Sequence, residues 1–183
     1  MSNRIRNLSI ASTLLFSTAL LTFGSDVRMP PKKPNELSPE QQTSVTIAGK
    51  QIRIEYSAPS ARGRKVMGEV VPYGHVWRTG ADGATTLVTD ADLKFGSLQV
   101  PKGVYTVWTL PSENGWQLII NKQTKQWGTN YSEAQDLGRT PMQVKKATPR
   151  EQMQIQLKST GAKSGELEIA WGDTVATAPF TVQ

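Results

Sequence analysis

Between Tyr56 and Thr86 the sequence concentrates residue types that could do chemistry. Arg62, Arg64 and Lys65 fall within four positions, and the only histidine, His75, is followed by Val76-Trp77-Arg78-Thr79-Gly80-Ala81. Arginine offers a planar fork that matches carboxylate or phosphate, and tryptophan offers a flat face for a sugar ring or a cation. Together with Lys122 and Trp127 downstream, these residues suggest a pocket for an anionic or saccharide ligand, built from Arg62, Arg64, Lys65, Trp77, Arg78, Thr79, Lys122 and Trp127. Gly63 and Gly80 would let the backbone approach such a ligand closely. The competing reading puts Trp77 in the core and pairs the arginines with Glu55, Glu69 or Asp82 on the surface, where ion pairs contribute little. The pocket reading requires Arg62, Trp77 and Arg78 to converge in one concavity.

Catalytic constellations are weaker. Glu69 and Asp82 are the nearest carboxylates for a glycosidase-like acid–base pair, and His75 could serve a small-ester hydrolase. A serine triad of Ser57 or Ser60 with His75 and Asp82 can be written, but the G-x-S-x-G elbow is absent. Asp90-Ala91-Asp92 has ligand-like spacing without the rest of a calcium loop, and one histidine with no cysteine makes no zinc site. No glycine-rich phosphate loop is present, so neither a metal nor any other cofactor is expected.

Composition bounds the remaining possibilities. The chain has 183 residues, no cysteine and a formal net charge of +6. Arg4 and Arg6 precede an apolar run from Leu8 to Phe23, the pattern of a signal peptide and short for a membrane span. Residues 1–25 are therefore expected to direct export, with the protein periplasmic or secreted and touching membrane only if that segment stays uncleaved. Their removal takes Arg4 and Arg6 from the 21 cations, leaving 19 against 15 acids, a net charge of +4. That surplus is too weak and dispersed to indicate nucleic acid. A small anionic molecule or glycan of the cell envelope is the expected partner. Oligomeric state is left open.

The elements that must position such a site read as strands. Residues 26–43, with Pro30, Pro31, Pro34 and Pro39, form a polar tether before a single domain over 44–183. Period-two alternation then appears in Ile52/Ile54/Tyr56, Trp116/Leu118/Ile120, Met153/Ile155/Leu157 and Leu167/Ile169/Trp171. Ala48-Gly49-Lys50, Pro101-Lys102-Gly103, Ser112-Glu113-Asn114-Gly115 and Gly172-Asp173 supply the punctuation between them. The pattern predicts an all-β protein, an antiparallel sandwich or flattened barrel of about nine to ten strands. Trp108, Trp116 and Trp171 belong to its core. The irregular stretch from Asn121 to Leu137 is long enough to suggest a functional loop.

Several of these segments resemble a bacterial family of domains of unknown function, DUF2911. The residues that carry the resemblance are Tyr56-Ser57 with Pro59-Ser60, Arg62-Gly63-Arg64-Lys65, Gly68-Glu69, Val71-Pro72-Tyr73-Gly74 and Val76-Trp77-Arg78-Thr79-Gly80-Ala81 ending at Thr85-Thr86. Gly103-Val104-Tyr105, Thr109-Leu110-Pro111, Trp116, Asn121-Lys122 and Trp127-Gly128 fit as well. The resemblance spans residues 43 to 182 and implies an exported protein of the kind common in Bacteroidetes, with no established activity. Where the family pattern has Asn-Glu-Ala-Thr-Thr, this chain has Asp82-Gly83-Ala84-Thr85-Thr86, so any chemistry done by that glutamate is lost here. The leading expectation is a binding module with an Arg/Trp pocket. A glycan or ester hydrolase using Glu69, Asp82 or His75 and a structural partner acting through a strand edge or basic face are the alternatives.

Overall fold

The computed structural model describes residues 38–183, so the expected export segment and nearly all of the tether lie outside the described residues. Nine strands follow in chain order: β1 (Glu40–Ile47), β2 (Lys50–Ser57), β3 (Ala81–Thr89), β4 (Leu93–Phe95), β5 (Leu98–Val100), β6 (Gly103–Ser112), β7 (Gly115–Asn121), β8 (Asp136–Gly161) and β9 (Ser164–Val182). β1 opens at Glu40, so the last four residues assigned to the tether are already strand. The strands form one antiparallel sheet in the order β1-β2-β3-β6-β7-β8-β9-β4-β5. Among the described residues there is no α-helix, and a single 3-10 turn spans Glu133–Gln135.

Alternation sets which face of each strand goes inward. Ile52, Ile54 and Tyr56 of β2, Leu118 and Ile120 of β7, Met153, Ile155 and Leu157 of β8, and Leu167, Ile169 and Trp171 of β9 all enter one core. Full burial of each such aliphatic side chain contributes about 1.5–3 kcal/mol. A sheet that supplies one core from nearly every strand must curl around it. Its second face is mostly wet, with one exception. Ile119 and Asn121, expected on a wet face, are both fully buried, because the 122–135 loop covers that part of the sheet. Ile119 joins Ala84 and Trp108 there in a second, smaller cluster, with Tyr131 packed against it.

The curl is completed along a seam where β8 meets β1, β2 and the residues just after β2. Ala61 N–H donates to Glu151 O at 2.8 Å and Met153 N–H to Pro59 O at 2.9 Å. Farther along the strands have separated and side chains bridge the gap. Ile155 N–H donates to the Tyr56 hydroxyl at 3.0 Å, and Leu157 N–H to Thr43 Oγ1 at 3.2 Å.

β8 and β9 are long because they bend rather than stop. β8 pairs with β7 up to Met142 and with β9 from Gln143 onward. Their register breaks between Lys146 and Arg150, around Pro149, which has no N–H to give to a ladder. Gly172, expected in a turn, lies opposite Arg150 inside β9 with φ +55. Val66 lies within 3.2 Å of the place a Cβ would occupy there. The glycine marks a bulge that kinks the strand instead of ending it.

Candidate functional site

The segment between β2 and β3 presents its charges because its flanks are anchored. Ala61, Val66, Met67 and Val71 are buried in the main core, while Arg62, Gly63, Arg64 and Lys65 stand exposed. Arg62 and Gly63 both have left-handed backbone, φ +52 and +72, and Arg64 N–H closes the turn onto Ala61 O at 3.1 Å. The turn is clipped to β8 by Glu151, whose Oε1 accepts Arg62 N–H at 2.8 Å. The Arg64 guanidinium folds back over it, donating from Nε to Ala61 O and from Nη2 to Ser60 O, each at 2.9 Å. Two of its five N–H donors are used this way and three remain for a ligand.

This turn, the bend of β8–β9 and Tyr73 enclose a cleft of about 740 Å³. Four cations line it, Arg64, Lys65, Lys146 and Arg150, against Glu113, Glu151 and Asp173. Lys146 Nζ and Asp173 Oδ2 are 2.7 Å apart across the mouth, and both side chains are largely exposed. That hydrogen bond raises the lysine's pKa and lowers the aspartate's. The cleft is a concave, positively biased surface with one aromatic wall, able to hold an anion or a hydroxyl-rich ring by hydrogen bonds.

The structure does not bring the eight expected ligand-binding residues together. Arg64 and Lys65 line the cleft, and exposed Arg62 sits at its rim, held by its N–H. Trp77 and Arg78 line none of the described concavities. Trp77 instead packs between Trp171, stacked at 6.0 Å, and Trp116, edge-on at 6.3 Å, with its Nε1 donating to Gly80 O at 3.1 Å. Thr79 is fully buried, so no ligand can reach it. Its hydroxyl lies within hydrogen-bond distance of Trp77 O and Thr109 Oγ1, and its own carbonyl accepts the Thr85 hydroxyl at 2.8 Å. The Trp-Arg-Thr-Gly-Ala signature is thus a half-buried clasp, with Thr79 and Gly80 at its buried centre, that ties this segment to β3 and β6.

Arg78 and Trp127 belong to a different contact. Gly128 N–H donates to Asp82 O at 3.0 Å, Gly83 bridges Trp127, and the Arg78 side chain lies across Gly128 with Nη1 3.4 Å from its carbonyl. A Cβ on Gly128 would stand 1.9 Å from Arg78 Cδ and 2.5 Å from Asp82 O, so only glycine fits. Burial pushes the Arg78 guanidinium below its ordinary range, and the Asp82 charge pulls it back up. Lys122 is exposed on the loop beyond.

That loop, expected to be functional, is held by structural hydrogen bonds. Asn121 Nδ2 donates to Ser132 O and Asp136 Oδ1, Tyr131 donates to Asp136 Oδ2 at 2.6 Å, and Arg139 donates to Asp136, Glu133 and Tyr131. Thr106 Oγ1 accepts from Trp108 Nε1 and Gln126 Nε2 beneath it. None of the cleft residues lies in this loop.

The catalytic candidates stay apart from the cleft lining as well. Glu69 and His75 are exposed and Asp82 is half-buried beside Arg78. Among the described residues no three His, Asp or Glu side chains gather as a metal-binding group. Tyr73, Lys146 and Arg150 were missed by sequence reasoning. Lys146 and Arg150 flank Pro149, and a proline within a charged strand was the available signal for a bend.

No curated protein and no solved structure matches the chain. A family model described as protein of unknown function (DUF2911) does match, over residues 38–180, which takes in every strand from β1 to all but the end of β9. As the resemblance around Trp77–Ala81 implied, the chain belongs to that family.

Proposed function

We propose that this chain is an exported binding protein that retains an anionic or saccharide ligand of the cell envelope, and that the ligand sits in the cleft beside Tyr73. One observation supports this above the others. Arg64, Lys65, Lys146 and Arg150 meet around a single concavity, and the Arg64 guanidinium is already fixed by two backbone carbonyls. A pre-oriented guanidinium loses less freedom on binding than an extended surface arginine, which favours retention of a carboxylate or phosphate. Trp77 and Arg78 serve this site indirectly, by clasping the segment that carries Arg64.

Thermal shift of the purified chain against small anionic metabolites and short glycans tests the reading. A ligand that binds only the folded state raises Tm in proportion to RT ln(1 + [L]/Kd). The expected result is a concentration-dependent rise that Arg64→Ala with Lys65→Ala abolishes. A flat response across the library would overturn it.

A further inference from the structure

The cleft is the middle of something longer. A second hollow of about 380 Å³ adjoins it and shares Tyr73, Glu113 and Lys146 with its wall. A third, of about 220 Å³, adjoins at the other end and shares Arg150. The three follow β8 from Val144 to Gln154, a stretch that would span roughly 30 Å if straight and is somewhat shortened by its bend around Pro149. A small molecule cannot fill such a length. We propose that the groove binds a linear acidic polysaccharide lying along β8, an inference that rests on the anion-binding reading of the central cleft and names the ligand's class.

Two features favour a sugar chain over a polypeptide. An extended peptide is usually taken up by strand addition, which needs an unpaired backbone edge. At the inner end of the groove Met153 N–H is already bound by Pro59 O, and just beyond it the N–H groups of Ile155 and Leu157 are bound by Tyr56 and Thr43. Near the middle of the stretch Pro149 has no N–H to give to an added strand. The lining is also mixed in the way pyranose rings demand. Val144, the one exposed large hydrophobic side chain among the described residues, borders the outer hollow with Lys145, while Gln41, Gln152 and Gln154 border the inner one. Lys145 in the outer hollow adds to Arg64, Lys65, Lys146 and Arg150 of the central cleft, so that against Glu113, Glu151 and Asp173 the groove keeps a cationic surplus that suits an acidic chain.

Calorimetric titration of the full chain with galacturonic acid and its dimer, tetramer and octamer, at low ionic strength, tests this. Affinity should climb with length, by about tenfold or more from monomer to octamer. Lys145→Ala and Gln154→Ala, at opposite ends, should each weaken the octamer several-fold and weaken the dimer less. Equal affinity for monomer and octamer would overturn the polysaccharide inference and leave a compact-anion cleft standing. Poly-L-glutamate of matched charge binding as tightly as the octamer would overturn it in favour of an acidic polypeptide. No binding by any oligomer would overturn it too, while the small-anion thermal shift separately decides the reading of the cleft.

Discussion

The Tyr56 hydroxyl occupies the place where a neighbouring strand would pair with Ile155, accepting its N–H at 3.0 Å and lying 3.5 Å from its carbonyl oxygen. One side chain thereby stands in for part of a β-ladder across the seam. Tyr56→Phe keeps the packing and leaves a buried amide without its acceptor, which costs about 1–3 kcal/mol. A urea midpoint unchanged from the parent chain would show that the seam does not depend on this contact.

The tyrosines also set an alkaline limit. Burial raises the pKa of Tyr56 above its ordinary 10.0 against the opposing effects of Ile155 and Arg150, and raises Tyr105 with a further contribution from Asp92. Tyr131 is raised most, by burial and then by its hydrogen bond to the Asp136 carboxylate. Above pH 10 the folded chain therefore holds more protons than the unfolded one, so stability, fully present below about pH 10, falls as pH rises further. Tyr131→Phe should flatten that fall in melts recorded between neutral and strongly alkaline pH.

Gly128→Ala should destabilise by about 1–3 kcal/mol, the usual cost of forcing atoms into filled space. Arg78 can swing away from the new methyl, whereas the Asp82 carbonyl is backbone and cannot. Adding Arg78→Ala should therefore recover only part of the loss, and full recovery in chemical melts would locate the whole clash at Arg78.

Ala48→Asn should stabilise. Ala48 and Gly49 make the two-residue turn between β1 and β2 with φ +51 and +73, and asparagine tolerates that conformation better than alanine. A gain of up to about 1 kcal/mol is expected in the same melts, and a loss would contradict it.

Asp173→Asn removes the anion that engages Lys146 at the mouth of the cleft. Both groups are exposed, so Tm should barely move. Affinity for an acidic oligosaccharide should rise a few-fold, and calorimetry showing weaker binding would assign Asp173 a direct ligand contact.

The strands were legible because period-two alternation depends on one residue and its neighbours. Ile52/Ile54/Tyr56, Met153/Ile155/Leu157 and Leu167/Ile169/Trp171 all point as their pattern predicts. Ile119 was not legible, since the loop that buries it comes later in the chain. Gly172-Asp173 reads as a turn in the sequence because a glycine beside an aspartate marks a bulge and a turn equally well. The site was half legible: Arg64 and Lys65 were marked by charge density, but Lys146 and Arg150 reach them only through a bend in β8. The concentration around Trp77 and Arg78 reflects folding constraints as dense as those of a binding site, and residue types alone do not distinguish the two.

The seam orders events during folding. Tyr56 and Ile155 stand 99 positions apart, so a chain emerging from its N-terminus completes the β1-β2-β3-β6-β7 meander well before the strand that covers β2 exists. The β8–β9 hairpin can form locally once made, whereas closing it onto β1 and β2 carries the entropy of a long loop. Closure is the natural late step, and until then the inner face carrying Ile52 and Ile54 stays wet. The cleft also waits for it, because Glu151, on the closing strand, is what clips the Arg62–Lys65 turn in place. Ligand-binding competence should therefore appear with the last folding phase and not before it.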